Sequence, residues 1–323
     1  MNFTFKRRIL IGLCATALLG CAVARAASGP SGPVKLVVGF PAGGAVDIVA
    51  RLVAERMTGP LGVTVIVENK PGAGGRIAAD LLRNSAPDGN TVLITPLAPI
   101  VIAPYTFRKL TYNPQTDFAA VAQLVKFPLA IAVGSSSPHK TLADLTAWFK
   151  SHPQQASYGT SAAGSQLHFL GVMYAQAIKA DLTHVPYQGG SPLVTDLIGG
   201  QLPAGIDVFP LEFYRSGKLR LLATSGATRS PLLPEVPTFK EQGVAVEGEA
   251  WVGAFVNAKT PAPIVQRLGD ALLQAIKDPG VRDKLMAAGL EPTGTNAQAF
   301  TAQIAADRAR WKPVIEASGF RGD

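Results

Sequence analysis

The order of apolar patterns along this chain predicts an α/β fold of two units with a ligand cleft between them. Three observations lead there. Short β-branched runs alternate with amphipathic segments of helical period, the alternation restarts near Leu129, and each half carries one glycine-rich loop between a strand and a helix.

Taken in order, Val34 to Val38, Val63 to Val67 and Thr91 to Thr95 read as buried strands. Between the first two, Val46, Val49, Ala50, Val53 and Met57 recur at three- and four-residue steps, with Arg51, Glu55 and Arg56 on the opposite face, which is the signature of a helix. A second helix is expected from about Gly75 to Asn84, with Ile77, Leu81 and Leu82 inward. A strand-helix-strand-helix-strand order implies a parallel sheet with right-handed crossovers. From Leu129 the series resumes: strand to Val133, helix Leu142 to Lys150, strand Ala156 to Tyr158, helix Gln166 to Ala177, then strands at Leu182 to Val185, Gly205 to Phe209 and Leu219 to Ala223. A loop rich in Ser, Pro and Glu leads to a strand at Trp251 to Val256. Three helical segments close the chain, near Ala262 to Ile276, Gly280 to Ala288 and Ala297 to Ala317. A closing region without strands of its own must pack on an earlier sheet. Residues 33–127 plus 251–323 are therefore expected to form domain 1, and residues 128–250 domain 2.

Composition narrows the function. With 47% hydrophobic and 16% charged residues among 323, the chain has enough apolar content to fold and too little charge for disorder. Two cysteines exclude a disulfide framework and a zinc ribbon. The net charge of +8 would suggest an acidic partner, but part of it belongs to the N-terminus. Lys6, Arg7 and Arg8 precede an uncharged run from Ile9 to Ala24 and a small-x-small site, Ala24-Arg25-Ala26. Residues 1–26 read as a secretory signal peptide cleaved after Ala26, and the run is short for a membrane-spanning helix. A twin-arginine signal at Arg7-Arg8 and a lipobox ending at Cys21 are weaker alternatives. Cleavage removes four basic and no acidic residues, so 30 and 22 become 26 and 22, a net of +4, and both cysteines leave as well. Export to the periplasm is expected, and the nucleic-acid reading loses its support.

The functional signal lies in the two loops. Gly39-Phe40-Pro41-Ala42-Gly43-Gly44 with Asp47 stands between the first strand and the first helix; Gly159-Thr160-Ser161-Ala162-Ala163-Gly164-Ser165 holds the same position in the second unit. In an open α/β sheet this is the edge where ligands meet the free N–H groups of a helix N-terminus. Taken alone, either loop reads more readily as a tight strand-to-helix turn with a capping residue. Other templates fit poorly. Gly72-Ala73-Gly74-Gly75 has Ile77 where a dinucleotide fingerprint needs glycine, and Gly159-Thr160-Ser161-Ala162-Ala163 ends in Ala where a nucleophile elbow ends in Gly. His139, His152, His168 and His184 lack metal-ligand spacing, and no Gly-rich stretch ends in Gly-Lys-Ser or Gly-Lys-Thr. No cofactor and no metal are expected.

At these residues the sequence resembles the tripartite tricarboxylate transporter solute receptors, the Bug family. The likeness runs through Val37 to Gly44 with Asp47 and Arg51, where Gly39 replaces a common Pro. It continues through Glu68-Asn69-Lys70-Pro71-Gly72-Ala73-Gly74-Gly75, Tyr158-Gly159-Thr160, Gly164-Ser165 with His168, and His184 to Gly190. Leu233 to Thr238 and Trp251-Val252-Gly253 follow in order. The resemblance implies a periplasmic binding protein-like fold, type II-like, whose two α/β domains hinge shut on a small organic anion, a carboxylate or amino acid. The ligand would be delivered to a membrane permease, with the receptor itself a monomer and not an enzyme. Carried over by position, the ligand residues are Phe40, Pro41, Ala42, Gly43, Gly44 and Asp47, then Thr160, Ser161, Ala163, Gly164, Ser165 and Asp207. Pro203 stands where an acidic residue is usual. Asp47 has a structural alternative, fixing its loop through backbone N–H bonds, and Asp207 an equal one as a turn former; Trp251 and Tyr187 read as core aromatics or cleft walls. Two other functions stay open, a periplasmic serine hydrolase using Ser161 and a ligand-presenting partner of a sensor.

Overall fold

Strand β1 (Val34–Val38) buries every residue except Lys35 and pairs in parallel with β2 (Val65–Asn69) and with β3 (Thr91–Pro96). These coordinates are a computed structural model that describes residues 29–322; the predicted signal segment lies outside the described residues. Between β1 and β2 runs α1 (Ala45–Leu61), with Val46, Val49, Ala50, Val53 and Met57 buried as the periodicity requires. A 3₁₀ turn at Ala73–Gly75 leads into α2 (Arg76–Arg83). There the inward stripe is Ala78, Ala79 and Leu82, which leaves Ile77 at its outer edge. Ile77 is exposed, against expectation, and its terminal methyl lies over Gly72. After β3 a π-helical segment, Ala98–Ile102, and the short α3 (Ala103–Thr106) carry the prolines that interrupt this apolar stretch.

The longest strand of this sheet, β4 (Phe118–Phe127), carries no clear sequence signal, because its Ala119, Ala120, Ala122 and Gln123 have low strand preference. Burial between two neighbours imposes the extended form. The chain then enters the second sheet through β5 (Ala130–Gly134), α4 (Leu142–Ser151), β6 (Ser157–Thr160), α5 (Gln166–Ile178) and β7 (Thr183–Pro186). Next come α6 (Gly190–Ile198), β8 (Gly205–Asp207), α7 (Leu211–Arg215) and β9 (Leu219–Thr224). A reciprocal capping box between Thr141 and Asp144 starts α4. The return passes through β10 (Ala250–Asn257), α8 (Ala262–Lys277), α9 (Pro279–Ala287), β11 (Glu291–Asn296) and α10 (Ala297–Ser318).

The sheet orders are β11-β4-β10-β3-β1-β2 and β7-β6-β8-β5-β9. The first sheet is parallel through β1, β2 and β3, as predicted, but β10 runs antiparallel between β3 and β4. The closing region does contain a strand, contrary to expectation. Pro292 and Gly294 disguise β11, which survives on a sheet edge with its register broken between Pro292 and Thr295.

Two crossings link the sheets, and Ser225 ties them together. Its buried hydroxyl donates to the Gly248 carbonyl and accepts from the Leu129 amide, while its backbone exchanges bonds with Leu129 and Gly248. Ser225→Ala leaves a buried donor and acceptor without partners, so a loss on the order of 2 kcal/mol is expected in urea unfolding; an unchanged midpoint would show that the hydroxyl does not tie the crossings. The C-terminal tail makes a second link. Phe320 stands edge-on to His168 and Phe169 of α5, while the Gly322 amide bonds the Thr106 carbonyl beside the first sheet at 2.8 Å.

Candidate ligand-binding site

The first loop is built around Asp47, whose side chain is buried in the opening turn of α1. Its carboxylate accepts 2.8 Å bonds from the Gly43 amide, Arg51 Nε and Asn69 Nδ2. Asn69 also donates to the Phe40 carbonyl at 3.1 Å, and Arg51 Nη2 donates to Asn69 Oδ1. Burial would raise the Asp47 pKa, but the bonds from Arg51, Gly43 and Asn69 outweigh it and hold the group below its ordinary 3.8. The Phe40 ring packs where a Gly75 side chain would stand, and Gly39 approaches the Gly75 backbone so closely that a Cβ would lie 2.7 Å from its Cα. The block from Glu68 to Gly75 thus supports the first loop. What remains outward is the exposed tip Pro41–Gly44 and the first amides of α1, whose N-cap Gly44 offers no side chain to cover them.

In the second loop the buried Asp207, at the end of β8, accepts from the Ser161 amide at 3.0 Å and from the Val208 amide at 2.7 Å. Burial raises its pKa, opposed by the Ser161 side chain and these amides. Ser165 caps α5 by accepting from the Leu167 amide, and its hydroxyl donates to the Ala162 carbonyl. Gly164 is left-handed at φ 70, its amide reaches His168 Nδ1, and Phe320 fills the space a side chain would take. Thr160, fully buried, places Oγ1 2.8 Å from His184 Nε2. The exposed Ala162 and Ala163 and the first amides of α5 face outward.

His168 and His184 stack at 4.0 Å behind this loop. Burial, and then the neighbouring His168, lowers His184 to about 4 from 6.5. An unfolded His184 takes its proton near 6.5 and the folded one only near 4, so its contribution is complete above 6.5 and is lost as pH falls through that window. The thermal midpoint is expected to fall between pH 6.5 and 4, with a shallower slope in His184→Gln. Equal slopes would show that this imidazole is not the sensitive group. No hydrogen bond among the described residues brings a histidine to the Ser161 hydroxyl, so the serine hydrolase reading has no support in the site.

Phe40 to Asp47 form one cluster, and Thr160 to Ser165 with Asp207 form another. No hydrogen bond joins them among the described residues. A cavity of about 930 Å³ lies between the sheets, bordered by Ala45 at the start of α1 and by Val208 just after Asp207, with Phe127 and Pro128 at the crossing. Trp251 is core, donating to buried Asp307 at 2.9 Å, and Tyr187 bonds Asp196. Pro203 lines a separate pocket with His139 and Trp148, before β8 and not at its Asp207 end. Phe320 carries no sign in the sequence of its place behind the loop, and His168 and His184 carry none beyond lying in blocks of the family resemblance. No cluster of three metal-ligating side chains exists among the described residues, and no described helix is long and apolar enough to cross a membrane.

Two α/β sheets linked by two crossings, each presenting a glycine-bearing loop at a helix N-terminus, define the architecture of a bilobal solute-binding protein. Residues 49–320 match the tripartite tricarboxylate transporter family receptor. The chain belongs to this family and is a periplasmic solute-binding protein of it. It is 36% identical over 311 residues to a Cupriavidus necator protein named UPF0065 protein in gbd 5' region, covering 94% of each chain. Among solved structures it resembles Rpa4515 of R. palustris, solved with adipate, at 31% identity and TM-score 0.77, covering 90% of this chain and 99% of that one. MatC of Rhodopseudomonas palustris, solved with malate, is 31% identical with TM-score 0.73, covering 88% and 99%.

Proposed function

We propose that the protein captures a small organic anion, a carboxylate, between domain 1 (residues 33–127 plus 251–323) and domain 2 (residues 128–250). It then delivers the ligand to the membrane permease of a tripartite transporter. The observation that carries this reading is the disposition of the two acids. Asp47 and Asp207 both turn their carboxylates onto amides of their own loops, so they shape the loops and leave the helix N-termini of α1 and α5 to meet the anion. Backbone amides hold a carboxylate without an arginine clamp, and water completes such contacts at little cost. On this reading Pro41–Gly44 and the tip at Ala163 touch the ligand. Asp47, Asp207, Thr160 and Ser165 position the backbone, Phe40 anchors the first loop, Ser161 is held by Asp207, and Gly164 supplies the left-handed turn. Relatives solved with adipate and malate support a carboxylate ligand. Residues 1–26 act as the export signal, cleaved after Ala26. The protein binds without turnover and works as a monomer.

Thermal-shift and calorimetric titration against carboxylates and amino acids tests this. A ligand at 100 times its Kd should stabilise the fold by about 2.7 kcal/mol and be recovered unchanged, with compaction in solution scattering. Turnover lost in Ser161→Ala would overturn it.

A further inference from the structure

We infer that the cavity between the sheets is a subsite for an apolar tail, and that the preferred ligand is a monocarboxylic acid with a hydrocarbon or aromatic body. This rests on the carboxylate reading above and adds to it what the rest of the molecule must be. The cavity, about 930 Å³, meets the first loop at Ala45, which follows the N-cap Gly44, and reaches the neighbourhood of the second at Val208, next to the Asp207 that holds the Ser161 amide. An acid group held at the α1 N-terminus has this space beside it for its remaining atoms. The walls are side chains such as Phe127, Val208, Phe209, Leu211, Leu232 and Leu290. Val208 is 40% exposed, one of few large apolar residues so open to solvent among the described residues, and a bound hydrocarbon would cover it.

Charge distinguishes one acid group from two. The charged side chains lining the cavity are Glu212 and Arg215, three residues apart on the exposed face of α7. Both are exposed, so water screens the pull of Arg215 on a second carboxylate, and Glu212 repels one. Lys126, near the crossing, is already held by Glu249 at 2.8 Å. A second carboxylate pushed among the leucines and phenylalanines would lose its water with nothing to replace it, whereas each methylene placed there is removed from water favourably.

The test is calorimetric titration of the purified protein with straight-chain monocarboxylates from butanoate to decanoate, with benzoate, and with the α,ω-diacids of equal carbon number, malate and adipate included. Affinity is expected to rise about threefold to fourfold per methylene along the monoacid series. Each longer monoacid should bind about tenfold or more tightly than its matched diacid. Leu211→Asp, at a half-buried wall position outside both loops, should flatten the length dependence, and Leu211→Met should retain it; Leu232→Asp gives a second wall variant should the first fail to fold. Binding of malate or adipate with no gain from chain length overturns the apolar subsite while the carboxylate reading stands. Diacids binding as tightly as monoacids of the same length overturn the choice of ligand class. Failure of every acid to bind overturns both readings.

Discussion

Replacing Asp47 with alanine is expected to abolish ligand capture and to lower the unfolding free energy by about 3 kcal/mol. Its carboxylate is the acceptor for three donors from three parts of the chain: the Gly43 amide at the loop tip, Arg51 one turn along α1, and Asn69 at the end of β2. Bonds to a charged acceptor are each worth roughly 1.5 to 3 kcal/mol. The sum is smaller because the Arg51 side chain is half exposed and its ion pair is screened, and because the three bonds share one group. The functional loss should exceed the loss of stability, since without Asp47 neither the Gly43 amide nor Asn69, and through it the Phe40 carbonyl, is fixed. The pH dependence has a definite sign. A carboxylate held below its ordinary 3.8 stabilises the fold above that value, and the contribution disappears as pH falls through the lowered pKa. In urea unfolding, the gap between wild type and variant should be full at neutral pH and narrow as pH falls below 3.8. A wild-type midpoint in Asp47→Ala at pH 7 would contradict the account.

Gly164→Ala is expected to cost about 2 to 3 kcal/mol and to weaken binding severely. A β-carbon in the left-handed region costs roughly 1 to 2 kcal/mol, and Gly164 sits at φ 70. The added carbon would also lie 2.4 Å from the Phe320 ring, so the ring must leave its contacts with His168 and Phe169. The two causes separate in a double-mutant cycle. With Phe320→Ala in place, the second substitution should cost only the backbone share, a coupling of about 1 kcal/mol. Strict additivity would show that the C-terminal ring does not brace the loop.

Much of the fold was legible because burial imposes period. The valines of β1 and the Val46 to Met57 stripe of α1 announce themselves through spacing, and the structure keeps both. Where composition and burial disagree, the sequence misleads. β4 is rich in alanine yet lies between β11 and β10, and β11 contains a proline and a glycine yet completes an edge. Ile77 reads as inward with Leu81 and Leu82 because all three are large and apolar. The face that packs is instead Ala78, Ala79 and Leu82, set by what the sheet meets and not by side-chain apolarity.

For the site, the sequence by itself determined the two loops, their place between strand and helix, and the acids beside them. Those are local properties, set by glycine conformational freedom and by the order of strands and helices. Only the tertiary structure decided where the acids point. Asp47 meets Asn69 from another strand, and Asp207 meets Ser161 46 positions away, so neither orientation follows from spacing. The backing of the second loop by two stacked histidines and a C-terminal phenylalanine, and the apolar space between the sheets, also arise between segments far apart in the chain. Their geometry depends on how the two sheets pack, which no local pattern encodes.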